Sequence, residues 1–210
     1  MDLATMRNNV RRDLHDEDAG SYRWTDDELN RHIAGALAEF SRAAPLEDTA
    51  ELATTAGSRE LDISSLSDRV LIEAVEYPVG FFPPAYSRYS IWKDTLTILS
   101  DTVPDGGDAR VYYARLHILN VSSSTIPSQF EDLIALGASA HALIEFAAHS
   151  INRVNIGGGN TPRTYREEGD SRLKTFLSEL RRIARQSRVR IHQLYTPFTT
   201  PVSESTVTGP

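Results

Sequence analysis

Cysteine is absent from the 210 residues, which removes disulfides, thiol nucleophiles and Cys-ligated zinc or iron–sulfur sites from consideration. Long apolar runs are missing as well. The opening MDLATMRNNVRRDLHD holds no continuous apolar stretch of the kind that directs secretion, and no window is expected to cross a bilayer, so no membrane partner is expected. An excess of positive charge is also lacking: the net charge is -7, and neutralising phosphates over a whole surface needs a cationic face. HExxH, GxSxG and a Gly-rich loop ending in GKS or GKT do not occur, so the chain carries no metalloprotease, hydrolase-elbow or phosphate-loop signature. Neither an enzymatic activity nor a cofactor or metal is expected.

What is present reads as a folded protein. With 40% hydrophobic and 24% charged residues, the chain can bury one sizeable core, and one folded unit with an insertion is the expectation. The charge is unevenly spread. Residues 163–192 contain nine Lys or Arg against four acids, an excess of five, so the rest of the chain carries -12 by difference.

Leu3, Met6, Val10 and Leu14 recur at helical spacing and predict a first helix from about Asp2 to Leu14, ended by the polar turn HDEDAGSYR. In YRWTDDELNRHI the spacing of Thr25 and Glu28 is that of a capping box, with Asp26 and Asp27 favoured at the positive end of the helix dipole. The second helix buries Leu29, Ile33, Ala36, Leu37 and Phe40 and closes before Pro45; Trp24 sits where a staple to Leu29 would set the entry angle. From about Glu47 to Asn120 the period becomes strand-like: ELATT, RELDIS, RVLIEAVEY, YSIWKDTLTIL and ARVYYARLHIL are β-branched or aromatic runs, punctuated by AGS, PVGFFPP, KD and PDGGD. Ser128 and Glu131 repeat the capping-box spacing ahead of a third, central helix, in which Gly137, Ala138, Ser139, Ala140 and Ala142 are small enough to let another helix or another subunit approach closely. A last helix carries Leu173, Phe176, Leu177, Leu180, Ile183 and Ala184 on one face and Arg on the other. VRIHQLY then reads as extended, and TPFTTPVSESTVTGP has little to bury.

Most candidate chemistry has a bland reading that suffices. His141 and His149 lie eight residues apart with no third ligand suggested, and read as interface or helix-surface histidines; His32 and His117 are likewise unpartnered by spacing. Ser122–Thr125 is a loop, and the glycines at 157–159 follow a helix where phosphate loops follow a strand. Asp26, Asp27 and Glu28 are accounted for by capping. Two features stand out. Arg181, Arg182, Arg185, Arg188 and Arg190 read either as a solvated helix face with some intrachain salt bridges or as bidentate donors for an acidic protein ring, with nucleic acid third. Tyr195, Pro197 and Phe198 sit in a tail able to lie in a partner's groove or along its sheet edge.

RRDLHDEDAGSYRWTDDELNRHIAGALAEF at 11–40 strings together a short helix, an aromatic, W-T-D-x-E-L and an Ala-rich helix; VYYARLHILNVSSSTIPSQFEDLIALGASAHAL at 111–143 leads a strand through T-I-P into a long Ala-rich helix. In this order the two phrases resemble the head-to-tail connector proteins of tailed bacteriophages, the adaptor or head-completion proteins beneath the portal. The resemblance implies a helical bundle of about four helices, two N-terminal and two C-terminal; the strand-like stretch between them departs from the smallest adaptors, which are essentially all helical, so the expected fold is α+β, with an inserted small antiparallel β module and an extended C-terminal arm. The corresponding segments are 1–45, 46–122, 123–190 and 191–210. It further implies a structural virion protein of the neck, made in the host cytoplasm. Its copies, commonly twelve, would close into a ring between the portal and a stopper or tail-completion protein, with DNA in the lumen. The five arginines with Tyr195, Pro197 and Phe198 would then contact the portal, and Gly137, Ala138, Ala140, His141 and Ala142 would face a neighbouring subunit. Another neck or tail-completion component is the alternative within virion assembly; a small soluble binding protein, or a hydrolase with two or more perturbed titratable residues in one pocket, is the alternative outside it.

Overall fold

The computed structural model describes residues 1–150 and 162–194, with the side chains of the last helix described to Gln186. Asp2 accepts from the Thr5 amide at 2.7 Å and opens helix α1, Leu3–Asp13. Met6 and Val10 on its apolar stripe are fully buried. Thr25 opens α2, Asp26–Ala43, in the expected capping box: the Glu28 amide donates to Thr25 Oγ1 at 3.3 Å, and the Thr25 amide donates to Glu28 Oε2 at 2.7 Å. That backbone bond is the first cause holding the Glu28 carboxyl below its ordinary value. Trp24 is buried and packs on Phe146 with ring centroids 5.3 Å apart, inside the same apolar cluster as Leu29.

Six strands follow: β1 Leu46–Ala53, β2 Glu60–Asp62, β3 Arg69–Glu76, β4 Tyr86–Trp92, β5 Thr95–Leu99 and β6 Asp108–Arg115. They make one antiparallel sheet in the order β1-β6-β3-β4-β5-β2. The expected turns all fall between strands, and Gly57 and Gly106 in them take the left-handed φ (+82° and +101°) that a Cβ would penalise. The sheet curls around its own core of Leu61, Ile63, Ile72, Val75, Leu96, Ile98 and Val111. Register between β1 and β6 runs without a break from Leu46↔Arg115 to Ala53↔Asp108. Ion pairs reinforce it across the strands, Asp48 with Arg115 at 2.9 Å and Glu51 with Arg110 at 2.6 Å. By contrast β3 and β4 pair only at Val75↔Ser87 and Glu76↔Tyr86, and the Tyr89 hydroxyl donates to the Ile72 carbonyl at 2.7 Å where they diverge.

After Ser128–Phe130, a single 3₁₀ turn, come α3, Glu131–Ser150, and α4, Pro162–Leu194. A second apolar cluster gathers Met6, Val10, Leu29, Phe40, Ile134, Ala138, Phe176 and Ile183, so all four helices share it, with α3 contacting each of the other three.

Four expectations change. The Ser128–Glu131 spacing is not a capping box: Ser128 opens a 3₁₀ turn, whose own cap, Pro127, makes no side-chain bond, Glu131 is the first residue of the α-helix, and its carboxylate pairs with the Met1 amine at 3.0 Å. VRIHQLY is helical as far as Leu194, because an established helix extends through β-branched residues at little further cost. Strand β6 stops at Arg115; Leu119 and Ile126 beyond it join the helical cluster, and the Leu3 amide donates to the Asn120 carbonyl at 3.0 Å. Finally, Ser128–Ser150 is long and apolar enough by composition to span a bilayer, contrary to the sequence expectation; more than half of its apolar window is buried against the other helices.

Candidate docking surface

The small residues of α3 seat α4. A Cβ on Gly137 would stand 2.8 Å from the Phe176 ring, and one on Gly169 of α4 would stand 2.7 Å from Ile144 Cγ1 and 3.2 Å from the Ala140 carbonyl oxygen. Ala138, Ala140 and Ala142 are fully buried. The close approach at Gly137 and Ala140 is made within the chain, by α4, and Ala138 and Ala142 are buried in the same body. His141 is partly exposed, with Nε2 3.4 Å from Glu39 Oε1 of α2 and no hydrogen-bond geometry.

On the opposite side of α4, Arg181, Arg182 and Arg185 are exposed. Arg182 pairs with Glu179 at 2.8 Å; Arg181 and Arg185 make no ion pair among the described residues. Arg188 and Arg190 continue the same helix in its backbone, their side chains lying outside the described residues, as do Tyr195, Pro197, Phe198 and the glycines at 157–159. Upstream the arginines of α4 are spent internally: Arg163 and Arg166 pair four residues ahead with Glu167 and Asp170, while Arg172 pairs with Glu168 and donates to the Asp13 carbonyl and Ser139 Oγ. The local positive excess read from sequence is thus concentrated at the C-terminal end.

Two concavities flank this body. One, of about 470 Å³, is lined by Tyr22, Trp24, Glu28, His32, Glu145 and Phe146 among others. It contains two shifted groups, but each shift has a structural cause: burial lowers His32 against the opposing pull of Glu145, and the cap lowers Glu28. The other, of about 490 Å³, is an apolar groove at the foot of α4, walled by Phe40, Pro45, Leu46, Pro127, Phe130 and Ile183. Among the described residues no group of three or more His, Asp or Glu side chains is placed to hold a metal ion. Ser122 and Ser123 turn around Asn120, whose Oδ1 accepts from both amides and both hydroxyls, so the hydroxyl run is a loop.

Sequence reasoning missed two features. Arg11 is buried between Asp16 (2.8 Å) and Asp26 (2.7 Å), with the Tyr22 ring 3.6 Å from its guanidinium, and this cluster fixes the α1–α2 turn. On the sheet, Val70, Leu71, Ile91 and Trp92 are exposed around the β4–β5 hairpin tip, and Phe82 projects almost fully from the PVGFFPP loop. Arg69 holds that tip, donating to the Lys93 carbonyl and to Asp94.

The arrangement is one of surfaces, with helical order, sheet insertion and a cationic terminal helix. The sequence profile of the family described as SU10 adaptor protein matches residues 1–193. The chain belongs to this adaptor family. The adaptor is accordingly a structural component of the bacteriophage virion at the head–tail region, of a family that is typically non-enzymatic. The matched span includes the residues that form the sheet. No curated protein matches the chain.

Proposed function

We propose that the adaptor works as a closed ring of about twelve copies stacked coaxially beneath the portal, joining it to a stopper or tail-completion protein while DNA passes through the lumen. The observation that carries this reading, beyond family membership, is the exposed guanidinium row Arg181, Arg182 and Arg185 leading into Arg188, Arg190 and the segment with Tyr195, Pro197 and Phe198. Arg181 and Arg185, which make no ion pair among the described residues, suit bidentate contact with a carboxylate-lined partner, here the portal. The aromatic segment supplies apolar anchors. An acidic balance over the rest of the chain suits a lumen in which DNA must slide without being held. Lateral contacts fall to the exposed apolar rim of the β module, Phe82 and Trp92 foremost, with His141 at the α2–α3 seam.

Electron microscopy of the adaptor mixed with its matching portal tests the reading. Coaxial rings of about twelve adaptor copies on the portal are expected with the full chain and not with a chain ending at Leu194. Binding without a ring, or rings formed equally well by the shortened chain, would overturn it.

A further inference from the structure

The sheet module and the helical body differ sharply in charge. Residues 46–122 hold 12 acidic against 6 basic side chains, a net -6 of the chain's -7, so the rest of the chain carries -1. The module also ends in an apolar point. Between β3 and β4 the segment from Tyr77 to Ser87 contains no charged residue, and Phe82 within it is 98% exposed. The loop that presents it is fixed at its base: the Tyr77 amide donates to the Ala85 carbonyl at 2.9 Å, the Gly80 amide donates to Glu76 Oε1 at 3.3 Å, and buried Glu76 is itself held by Arg110 and the Tyr112 hydroxyl. A point held this way has little freedom left to lose on docking. Carboxylates stand beside its base. Asp105 accepts from the Tyr77 hydroxyl at 2.8 Å, and Asp108 opens β6 just after it; both are exposed, and neither makes an ion pair among the described residues.

The groove at the foot of α4 has the complementary character. Phe40 and Phe130, with ring centroids 5.1 Å apart, and Pro45 and Pro127 give it the aromatic and proline walls that receive extended Pro-containing segments such as Phe82-Pro83-Pro84. Glu47 is the one carboxylate that lines it, whereas two exposed cations without ion pairs among the described residues adjoin it, Arg42 two residues before the lining Ala44 and Arg185 directly before the lining Gln186. The chain cannot fill its own groove. Leu46 lines it, and the β1–β6 ladder runs seven steps from Leu46↔Arg115 before it reaches Asp108, which carries the loop's end of the sheet about 23 Å away at the strand rise.

We propose that the groove receives the Phe82 loop of a second copy, with Phe82 between the aromatic and proline walls and Asp105 and Asp108 toward Arg42 and Arg185. Point and groove lie on different parts of one chain, so the contact is heterologous and each copy both gives and receives. Closure of the series by rotation rests on the ring reading; the contact itself does not.

The absence of cysteine makes the test direct. The double variant Phe81→Cys/Gln129→Cys places one thiol beside Phe82 and one at the exposed edge of the groove. Mild oxidation at high protein concentration, without portal, is expected to give disulfide-linked species rising through successive multiples of the subunit mass, with peptide mapping placing the bonds between positions 81 and 129. Adding Phe82→Ala should slow that cross-link about tenfold, the loss expected when a buried Phe is truncated. Adding Val121→Ala, an exposed apolar residue outside both surfaces, should leave the rate within about twofold. A series that stops at two subunits would show a reciprocal pair, a disulfide within one subunit would show the loop folding back, and a rate indifferent to Phe82→Ala would show collision without seating. Any of these, or the lack of an 81–129 bond, overturns the proposal. Rings on the portal are scored separately by microscopy, so cross-links without rings and rings without cross-links tell the two ideas apart.

Discussion

At the scale of single residues, His117 ties the end of α2 to the segment that follows β6. Its amide donates to Ser41 Oγ at 3.1 Å, its Nε2 lies 3.0 Å from the Ala44 carbonyl, its Nδ1 lies 3.1 Å from Thr125 Oγ1, and its ring packs on Phe40. Nδ1 also lies 3.0 Å from the Thr125 carbonyl oxygen, so each ring nitrogen faces a backbone carbonyl. The carbonyls of Thr125 and Ala44 favour the charged ring, but burial is the larger effect and lowers the imidazole below its ordinary 6.5. Burial lowers His32 in the same way. Both residues bind fewer protons in the native state than in the unfolded one, so their contribution is complete above pH 6.5 and is lost as the pH falls toward their lower native values. Asp13, raised by burial, acts with the opposite sign, but only nearer its ordinary 3.8. Urea unfolding is therefore expected to show lower stability at about pH 5.5 than at about pH 7.5, with a shallower dependence in His117→Gln. None of this was legible in the sequence, where His117 has no neighbour at any diagnostic spacing. The Thr25–Glu28 cap was legible because all its atoms lie within four residues. The Arg11–Asp16–Asp26 cluster was not, because it exists only once the turn has brought two helix ends together.

At the scale of elements, periodicity carried the reading well. The 3.6-residue stripe placed α1 and α2, the change of period placed the strands, and the turn residues fell where turns are. What periodicity left open were judgements that depend on what an element meets. Gly137 and the alanines of α3 announce a close approach without saying whose backbone approaches, and the partner is α4. The same fact gives a quantitative expectation at the α3–α4 crossing. Gly→Ala inside an exposed helix stabilises by roughly 0.5–1 kcal/mol, but a methyl at Gly169 meets the Ala140 carbonyl oxygen at 3.2 Å, and backbone cannot swing aside. Gly169→Ala is expected to destabilise by about 1–3 kcal/mol instead, measured as a lowered denaturation midpoint. Gly35 is the internal control: a Cβ there meets nothing within 4 Å, so Gly35→Ala should be neutral or stabilising.

At the scale of the whole molecule, the asymmetry of charge is the property on which the proposed portal contact turns. Arg163, Arg166 and Arg172 are neutralised along α4, and the cations left over sit toward the end that leads into the C-terminal segment. Arg181→Glu/Arg185→Glu is therefore expected to leave the subunit's thermal unfolding unchanged while weakening portal binding by an amount that shrinks as salt is raised, since screened surface charges lose reach within about 10 Å. Sedimentation of adaptor–portal mixtures across a salt series checks this, and equal binding by the variant would assign the row to solvent.

The pairing of Leu46 with Arg115 also sets how the sheet is joined to the helices. The two ends of the sheet-forming stretch stand about 5 Å apart, the width of a tight hairpin, so the chain leaves the helices and returns to them at a single point. The sheet hangs from the helical body as a leaf hangs from its stalk.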